Sequence, residues 1–129
     1  MSNKQIIHTS NAPAAIGTYS QAVKVGKTVY VSGQIPLVPE TMEIVEGDFK
    51  AKACQCFENL KAIAEASGGS LEDAVKINIS MTDLSNFPLV NEAMAQYFKE
   101  PYPARAAVGV KELPKGVPVE IEAILYLKG

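Results

Sequence analysis

The chain has 129 residues, of which 20% are charged, and its net charge is −2 at pH 7. This length allows one domain with a hydrophobic core and is too short for two ordinary domains, so residues 1–129 are treated as a single domain. The small acidic excess argues against a nucleic-acid partner held through phosphate contacts. No apolar run is long enough to span a membrane, and the polar start Met1-Ser2-Asn3-Lys4 is unlike a signal peptide. We therefore expect a cytoplasmic protein without a membrane partner.

The residues that commonly bind metals are few and scattered. Cys54 and Cys56 are two positions apart in a segment with a helical pattern, which points their side chains to different sides of the helix. A disulfide between them, or a metal ion shared by them, is therefore not expected. His8 is the only histidine, and no metal-site spacing surrounds it. We expect two structural thiols and no metal site.

The first third of the chain is typical of β-strands. Residues 4–8 are compatible with a short edge strand, and a loop of small residues then leads to Tyr19. Residues 22–35 predict a β-hairpin that turns at Gly26-Lys27. The second strand of this hairpin alternates, and its more polar side consists of Tyr30, Ser32 and Gln34.

An amphipathic helix and a further strand are predicted next. Asp48 is a suitable N-cap for the helix. We expect the helix to reach about Ala66, because the glycines that follow it favour a helix end. The strand covers residues 75–82, where apolar and polar side chains alternate.

A second helix is predicted up to Phe98, with Ser85 or Asn86 as its cap. Its apolar stripe contains one polar residue, Asn91, four positions after Phe87. A buried amide without a hydrogen-bond partner costs roughly a few kcal/mol, so Asn91 needs a partner. Two interpretations stay open: an amide satisfied by nearby backbone, and an amide that supports a functional site.

The last quarter of the chain contains two alternating segments, residues 104–110 and 119–127. A turn rich in Pro, Gly and Lys separates them, so we predict that they pair as an antiparallel hairpin. One side of the first segment carries Arg105, Ala107 and Gly109. One side of the second segment carries Glu120, Glu122, Ile124 and Tyr126. One guanidinium and two carboxylates would then share the less apolar face of this hairpin.

The order β-β-α-β-α-β-β predicts an α+β fold, in which a single sheet carries two helices packed on one face. The opposite face of the sheet is expected to collect the more polar side of each strand, namely Tyr30, Ser32, Gln34, Lys76, Asn78, Ser80, Arg105, Ala107, Gly109, Glu120, Glu122, Ile124 and Tyr126. This face is too mixed for a core and too rich in apolar groups for open water. We therefore predict a homo-oligomer with pockets between its subunits.

The motifs of several common enzyme classes do not occur in the sequence, which has no Gly-x-Gly-x-x-Gly, P-loop or Gly-x-Ser-x-Gly. The remaining candidates are Arg105, Glu120 and Glu122, with Ser32 and Tyr19 as neutral donors. A half-buried arginine suits a planar carboxylate, which it can hold with two parallel hydrogen bonds. A carboxylate shielded from water beside it can orient or deprotonate a water molecule. The pattern favours a small anionic substrate and a hydrolytic step, and its alternative is a structural ion pair between Arg105 and a strand glutamate.

Several short motifs occur in an order and spacing that resemble one protein family. They are residues 11–17 before Tyr19, residues 32–36, Asp83-Leu84 before Phe87 and Asn91, and residues 102–105, 113–115 and 120–124. The chain is thereby similar to the Rid (YjgF-like reactive intermediate deaminase) family, and to its RidA-type branch, over essentially its whole length. The resemblance implies a chorismate-mutase-like α+β fold and a homotrimer with an active site in each intersubunit cleft.

The activity that the resemblance implies is hydrolysis of 2-imino acids, or their enamine tautomers, to 2-keto acids and ammonia. Pyridoxal-phosphate dehydratases release such imino acids, and the hydrolysis needs no metal or organic cofactor. By position, Arg105 would bind the substrate carboxylate, and Glu120 would position and activate the attacking water. The residues that would line or shape the cleft are Tyr19, Ser32, Gly33 and Asn91.

The chain departs from the RidA-type pattern at two places. It has Ala106-Ala107 where the pattern usually has Ser-Cys, so a thiol nucleophile at position 107 is excluded and Ala107 would contribute through its backbone. It has Thr18 where the pattern usually has Pro, which predicts a more mobile loop. Neither change removes a charged group that the implied mechanism needs, but both leave the substrate range open.

Two other functions stay open at this point. The first is a non-catalytic trimer in which Arg105 captures keto acids or other small carboxylates and the response is regulatory. The second is an endoribonuclease or translation inhibitor, activities that have been attached to members of the family. The acidic charge balance and the single histidine make the ribonuclease the weaker alternative.

Overall fold

The structure, a computed structural model, describes residues 3–128. Its elements are the strands β1 (Lys4–Ile7), β2 (Ala22–Val25), β3 (Thr28–Gln34), β4 (Ala74–Met81), β5 (Ala104–Gly109) and β6 (Val119–Tyr126), and the helices α1 (Phe49–Ala66) and α2 (Phe87–Met94). The predicted α+β class, with one sheet and two helices, is confirmed. The predicted order gains one strand at its start, because β1 pairs with β2 at the edge of the sheet.

Local sequence signals place the first hairpin and the first helix where they are predicted. Gly26 adopts a left-handed φ of +61° at the turn between β2 and β3. The Asp48 carboxylate accepts a hydrogen bond from the backbone N–H of Ala51 at 2.9 Å, so it caps α1. The helix ends at Ala66, two residues before Gly68 with its φ of +98°.

The order of the strands in the sheet is β1-β2-β3-β6-β4-β5, which places β6 near the centre. This position suits β6 because the alternate residues of one side are at most 2% exposed, namely Val119, Ile121, Ala123 and Leu125. β5 is instead an edge strand that pairs with β4 in parallel. The predicted antiparallel hairpin of β5 and β6 is therefore wrong. Its physical reason is α2, which connects β4 to β5 and returns the chain in the same direction.

Because β5 pairs with β4 in parallel, its side chains lie on the opposite sides of the sheet from those predicted. Paired residues of neighbouring strands point to the same side, and Arg105 pairs with Ile77, which is fully buried on the side of the helices. This side, the helix face, therefore includes Arg105, Ala107 and Gly109, which were predicted on the opposite face. The opposite face, here called the open face, carries instead Ala104, Ala106 and Val108.

A β-bulge in β3 places Gln34 on a different side of the sheet from the one predicted. The register of β3 against β6 shifts between Val31 and Gln34, so that the strand accommodates one extra residue at Ser32-Gly33. As a result Gln34 lies on the helix face and is 5% exposed. Simple alternation had predicted Gln34 on the same side as Ser32.

The second helix is four residues shorter than predicted. It begins at Phe87, with Asn86 at its N-cap position, and ends at Met94. Residues 95–98 continue as hydrogen-bonded turns rather than as regular helix. Phe98 still packs in the core with 7% of its surface exposed, so the apolar pattern holds although the helix stops earlier.

The hydrophobic core lies between the helices and the helix face of the sheet. Its fully buried members include Phe57 and Leu60 of α1, Ile77 of β4 and Ile121 of β6. Within residues 3–128, no helix is both long enough and apolar enough to cross a membrane.

The central position of β6 predicts a large stability difference between two identical substitutions. Ile121→Ala removes a side chain that is fully buried at the centre of the sheet, and should lower the free energy of unfolding by about 2–5 kcal/mol. Ile6→Ala, at an edge-strand residue that is 52% exposed, is the matched control and should cost less than about 1 kcal/mol. Denaturant unfolding at one fixed protein concentration measures both, and equal losses would contradict this description of the sheet.

Candidate active site

The open face of the sheet carries a pocket of about 550 Å³ near the β3 bulge. Four of the predicted site residues line this open-face pocket, namely Tyr19, Ser32, Gly33 and Glu120. Its other lining residues include the apolar Pro13, Ala14, Ile16, Ile35, Leu37 and Met42, and the charged Lys115 and Glu122. The pocket therefore combines a largely apolar wall with a carboxylate floor, an arrangement typical of small-molecule sites.

The bulge at Ser32-Gly33 brings the backbone of β3 close to the Glu120 side chain. A Cβ atom at Gly33 would lie 2.8 Å from the Glu120 Cδ atom and 3.0 Å from its Oε2 atom. Any residue other than glycine would thus displace this carboxyl group. Gly33 thus leaves the space that the Glu120 carboxyl group occupies in this structure.

Glu120 is half-buried on β6, and its environment disfavours the charged form. Burial raises the pKa of the Glu120 carboxyl above its ordinary value, and the negative charge of Glu122 raises it further. The register explains the second effect, since Glu120 and Glu122 leave the same face of one strand. A carboxyl group with a raised pKa is suited to proton transfer near neutral pH.

The Ser32 hydroxyl already donates its proton within the chain. Its Oγ–H donates to the backbone carbonyl of Ser20, and its backbone N–H donates to the carbonyl of Gln21 at 3.0 Å. A hydroxyl has one proton and two lone pairs, so the Ser32 oxygen remains available to accept a hydrogen bond. Sequence analysis had treated Ser32 as a neutral donor; the structure makes it an acceptor.

Arg105 is an exposed residue of β5, but contacts with α2 hold its guanidinium in place. Its Nη1 donates to the Asn91 side-chain oxygen and lies 3.8 Å from the Met94 sulfur atom. Its Cζ atom lies 4.7 Å from the centre of the Phe87 ring, within the range of a cation–π interaction. Asn91 therefore finds its hydrogen-bond partner in the side chain of Arg105.

The surroundings of Arg105 form two shallow cavities on the helix face and at the sheet edge. The edge pocket, of about 470 Å³, is lined by Asn91, Met94, Ala95, Tyr102, Pro103 and Arg105. A smaller cavity of about 330 Å³ is lined by Leu84, Phe87, Arg105 and Ala107. Since Nη1 is bonded to Asn91, the remaining N–H groups of the guanidinium are available for a planar anion.

The predicted site residues are thus divided into two groups. The open-face pocket brings together Tyr19, Ser32, Gly33 and Glu120, whereas Arg105 lies with Asn91 and Ala107 on the other side of the sheet. The prediction that Arg105 and Glu120 share one face of one hairpin is wrong. β4 lies between their two strands, and the parallel pairing of β5 with β4 places Arg105 on the helix face. Arg105 donates to Asn91 and not to a β6 glutamate, which also removes the structural ion pair as an explanation.

Two residues with a role in this arrangement were missed by sequence analysis. Phe87 was assigned only to the apolar stripe of α2, yet its ring packs against the guanidinium of Arg105. Gln21 was given no role, yet it is 2% exposed and bonds the loop in front of the pocket. The signal for Phe87 was its position four residues before Asn91, one helical turn away.

Both cysteines lie on α1, Cys54 partly exposed and Cys56 fully buried. Both Cys54 and Cys56 are free, and burial raises the pKa of each thiol, which disfavours the reactive thiolate. In the described part of the chain, no three His, Cys, Asp or Glu side chains are grouped closely enough to hold a metal ion.

Comparison with known proteins decides the family. Residues 9–127 match the protein family described as Endoribonuclease L-PSP. A protein of Dermatophagoides farinae, named 2-iminobutanoate/2-iminopropanoate deaminase, is 50% identical over 128 residues, which cover 99% of this chain and 100% of that protein. The chain belongs to the Rid/YjgF/L-PSP family.

Solved structures agree with this Rid assignment. RidA from the Antarctic bacterium Psychrobacter sp. is 65% identical, with a TM-score of 0.92 and coverage of 95% of this chain and 99% of that one. Escherichia coli TdcF, crystallised with bound serine, is 45% identical, with a TM-score of 0.91 and coverage of 96% and 99%. The α+β fold implied by the resemblance is confirmed for this Rid protein.

The environment of Glu120 leads to a prediction for its titration. Glu122→Gln removes the neighbouring negative charge, so the pKa of Glu120 should fall but stay above its ordinary value, because burial is the larger cause. A carbon-13 NMR titration of the Glu120 carboxyl carbon measures this change. Glu112→Gln, at an exposed glutamate in the turn before β6, is the control and should leave the titration unchanged. An unaltered Glu120 pKa in Glu122→Gln would contradict the described geometry.

Proposed function

We propose that this Rid protein hydrolyses 2-imino acids, or their enamine tautomers, to 2-keto acids and ammonia. The observation that carries the proposal is Glu120, a half-buried carboxyl group with a raised pKa on the floor of a largely apolar pocket. Relatives that share about half of the sequence are named 2-iminobutanoate/2-iminopropanoate deaminases, which supports this substrate class. The serine bound to E. coli TdcF supports it as well, since serine carries an α-carboxylate and an α-amine like the proposed substrates.

We further infer that each site is completed by a second copy of the chain, in a homotrimer. Arg105 and Glu120 are two strands apart and point to opposite faces, whereas a three- or four-carbon imino acid is shorter than two strand spacings of roughly 5 Å each. A substrate in the open-face pocket could therefore reach only Arg105 of the partner subunit. The composition of the open face supports such an assembly, because it exposes large side chains, namely Tyr30 (53%), Val108 (52%) and Tyr126 (56%).

In the proposed reaction the substrate carboxylate is held by Arg105, whose guanidinium is oriented by Asn91 and Phe87. The Glu120 carboxylate takes one proton from a water molecule, whose oxygen forms a bond to the C2 atom of the protonated imine. The tetrahedral intermediate then breaks its C2–N bond. Glu120 returns the first proton to the departing nitrogen and takes up the hydroxyl proton of the intermediate as the C2=O bond forms. The 2-keto acid leaves, and transfer of that proton to ammonia releases ammonium and restores the Glu120 carboxylate.

The Ser32 oxygen suits the nitrogen end of the substrate. Its proton is already donated to the Ser20 carbonyl, so it accepts a hydrogen bond. The N–H groups of a protonated imine can only donate, which makes Ser32 a complementary acceptor for them. This contact would place the nitrogen beside Glu120, which lies next to the Ser32-Gly33 bulge.

Ala107 fits a mechanism without a thiol nucleophile. Its methyl group lies with Leu84 and Phe87 in the small cavity beside Arg105. In the proposed reaction the nucleophile is water, so this residue contributes shape and backbone rather than a reactive atom. The absence of the usual cysteine therefore affects which substrates fit and not whether the reaction proceeds.

The alternative of a non-catalytic carboxylate binder uses the same guanidinium but gives Glu120 no role. The raised pKa of Glu120 favours catalysis, because a simple binding site for anions gains nothing from a half-buried carboxyl group on its floor. The ribonuclease alternative stays the weaker one, on the grounds of the net charge of −2 and the single histidine.

The proposal predicts different losses in two variants. With 2-iminopropanoate generated in the cuvette, Glu120→Gln should lower kcat by about 100-fold or more while small-carboxylate binding persists, because the base is lost and the anion site is kept. Arg105→Ala should abolish carboxylate binding, measured by calorimetry with pyruvate. Glu112→Gln is the control for the first change and should keep full activity. Undiminished turnover by Glu120→Gln, or an unchanged imine decay with wild-type protein, would contradict the proposal.

The raised pKa of Glu120 also predicts how kcat/KM depends on pH. Glu120 must be ionised to act as a base, so kcat/KM should rise with pH through its raised pKa and then level off. Glu122→Gln lowers that pKa, and the acid limb of the profile should move to lower pH. If the acid limb of the profile does not move in Glu122→Gln, a group other than Glu120 controls that limb, and this prediction is wrong.

A further inference from the structure

Gln21 is one of the few buried polar residues of the chain, and the proposed reaction gives it no role. It immediately precedes β2 and is 2% exposed. Its Oε1 accepts a hydrogen bond from the backbone N–H of Thr9 at 2.7 Å. Its Nε2 donates to the backbone carbonyls of Thr9 at 3.0 Å, Pro13 at 2.8 Å and Ala12 at 3.3 Å. One carboxamide thus bonds both ends of the segment 9–13.

The segment that Gln21 holds leads directly into one wall of the open-face pocket. This wall consists of Pro13, Ala14, Ile16 and Tyr19. Within the wall, the Ile16 N–H donates to the Tyr19 hydroxyl oxygen at 3.4 Å. The wall is built from loop residues, so its position depends on the few contacts that tie it to the sheet.

The backbone of Gln21 connects the same wall to the catalytic side of the pocket. Its carbonyl accepts the backbone N–H of Ser32 at 3.0 Å. Ser32 is followed by Gly33, which packs against the Glu120 carboxyl. Gln21 is therefore bonded through its side chain to the loop wall and through its backbone to the bulge beside Glu120.

We propose that Gln21 is a positioning residue that fixes the loop wall of the pocket, so that the wall contacts the side chain of the substrate. This inference rests on the proposed imine hydrolysis and adds a determinant of substrate selectivity to it. Each hydrogen bond of the Gln21 side chain goes to the loop backbone and none to the Glu120 carboxyl, the Arg105 guanidinium or the Ser32 hydroxyl. Loss of the carboxamide then loosens the wall and leaves the reacting groups in place.

A residue that only fixes the wall should affect KM much more than kcat. Contacts with a substrate side chain far from the C–N bond are equal in the ground state and the transition state, so their loss raises KM and leaves kcat largely unchanged. A longer apolar side chain makes more contacts with the wall than a methyl group does. The loss should therefore be larger for a 2-imino acid with a leucine side chain than for 2-iminopropanoate.

The experiment compares Gln21→Met and Gln21→Glu with the wild-type protein on both substrates, each generated in solution from the amino acid. Gln21→Met keeps the length and loses every side-chain hydrogen bond, while Gln21→Glu places a carboxylate against three carbonyl oxygens. For the leucine-derived imine, KM should rise about tenfold with kcat within about threefold, and for 2-iminopropanoate the rise in KM should be about threefold or less. Use of two variants keeps the test decisive if one of them fails to fold.

The control is Asp73→Asn, which weakens a partly buried hydrogen bond away from the pocket, where the Asp73 carboxylate accepts the N–H of Ser70 at 3.0 Å. It should lower the melting temperature without changing the ratio of the two KM values. A merely structural Gln21 would behave in the same way, and that result would overturn the inference. An equal fall of kcat on both substrates would overturn it as well.

A readout without substrate distinguishes failure of this inference from failure of the proposed function. The amide proton of Thr9 is bonded to Gln21, so its hydrogen exchange should accelerate about tenfold or more in Gln21→Met, together with that of Ile16, and should be unchanged in Asp73→Asn. Unchanged exchange would refute the fixed wall whatever the activity. If exchange accelerates but wild-type protein hydrolyses neither imine, the wall is confirmed and the proposed reaction is wrong.

Discussion

Successive side chains of a β-strand leave the sheet on opposite sides, and the pairing of each strand decides which side a given residue takes. In this sheet β4 pairs Ile77 with Arg105 and Ser80 with Glu120. The first pair belongs to the helix face and the second to the open face, so the guanidinium and the carboxyl group are separated by the sheet itself. A mechanism that uses both groups on one small substrate therefore requires two copies of the chain. The apolar open face gives such an assembly a reason to form.

The two halves of the proposed site, the Glu120 carboxyl and the Arg105 guanidinium, are held by different kinds of contact. The backbone of β3 shapes the environment of Glu120, because the bulge and Gly33 leave room for its carboxyl group. Burial of that group raises its pKa. Side chains of α2 orient the Arg105 guanidinium, which donates a hydrogen bond to Asn91 and packs against the ring of Phe87. Each half is thus formed within a single chain. Assembly would bring the halves together without a rearrangement of either one, which reduces the cost of binding the substrate.

Much of the fold could be predicted from local sequence signals, because these signals act over a few residues. The Gly26 turn and the Asp48 cap are examples, and both occur where the sequence indicates them. The errors concern long-range pairing. The side taken by Arg105 depends on its parallel partner strand, and that of Gln34 depends on a bulge, and neither is encoded in simple alternation. Gln21 was missed because a glutamine beside a strand is ordinary, and only the folded loop reveals its bonds.

The central claim, that each site combines Glu120 of one chain with Arg105 of the partner subunit, is tested most directly by mixing two inactive variants. Arg105→Ala and Glu120→Gln chains are given different affinity tags and expressed together, and oligomers that carry both tags are purified. Every mixed trimer contains one site with both native groups, so the mixed species should recover about one third of wild-type imine hydrolysis. Mixed oligomers as inactive as either parent would mean that both groups act within one chain, and would contradict the account.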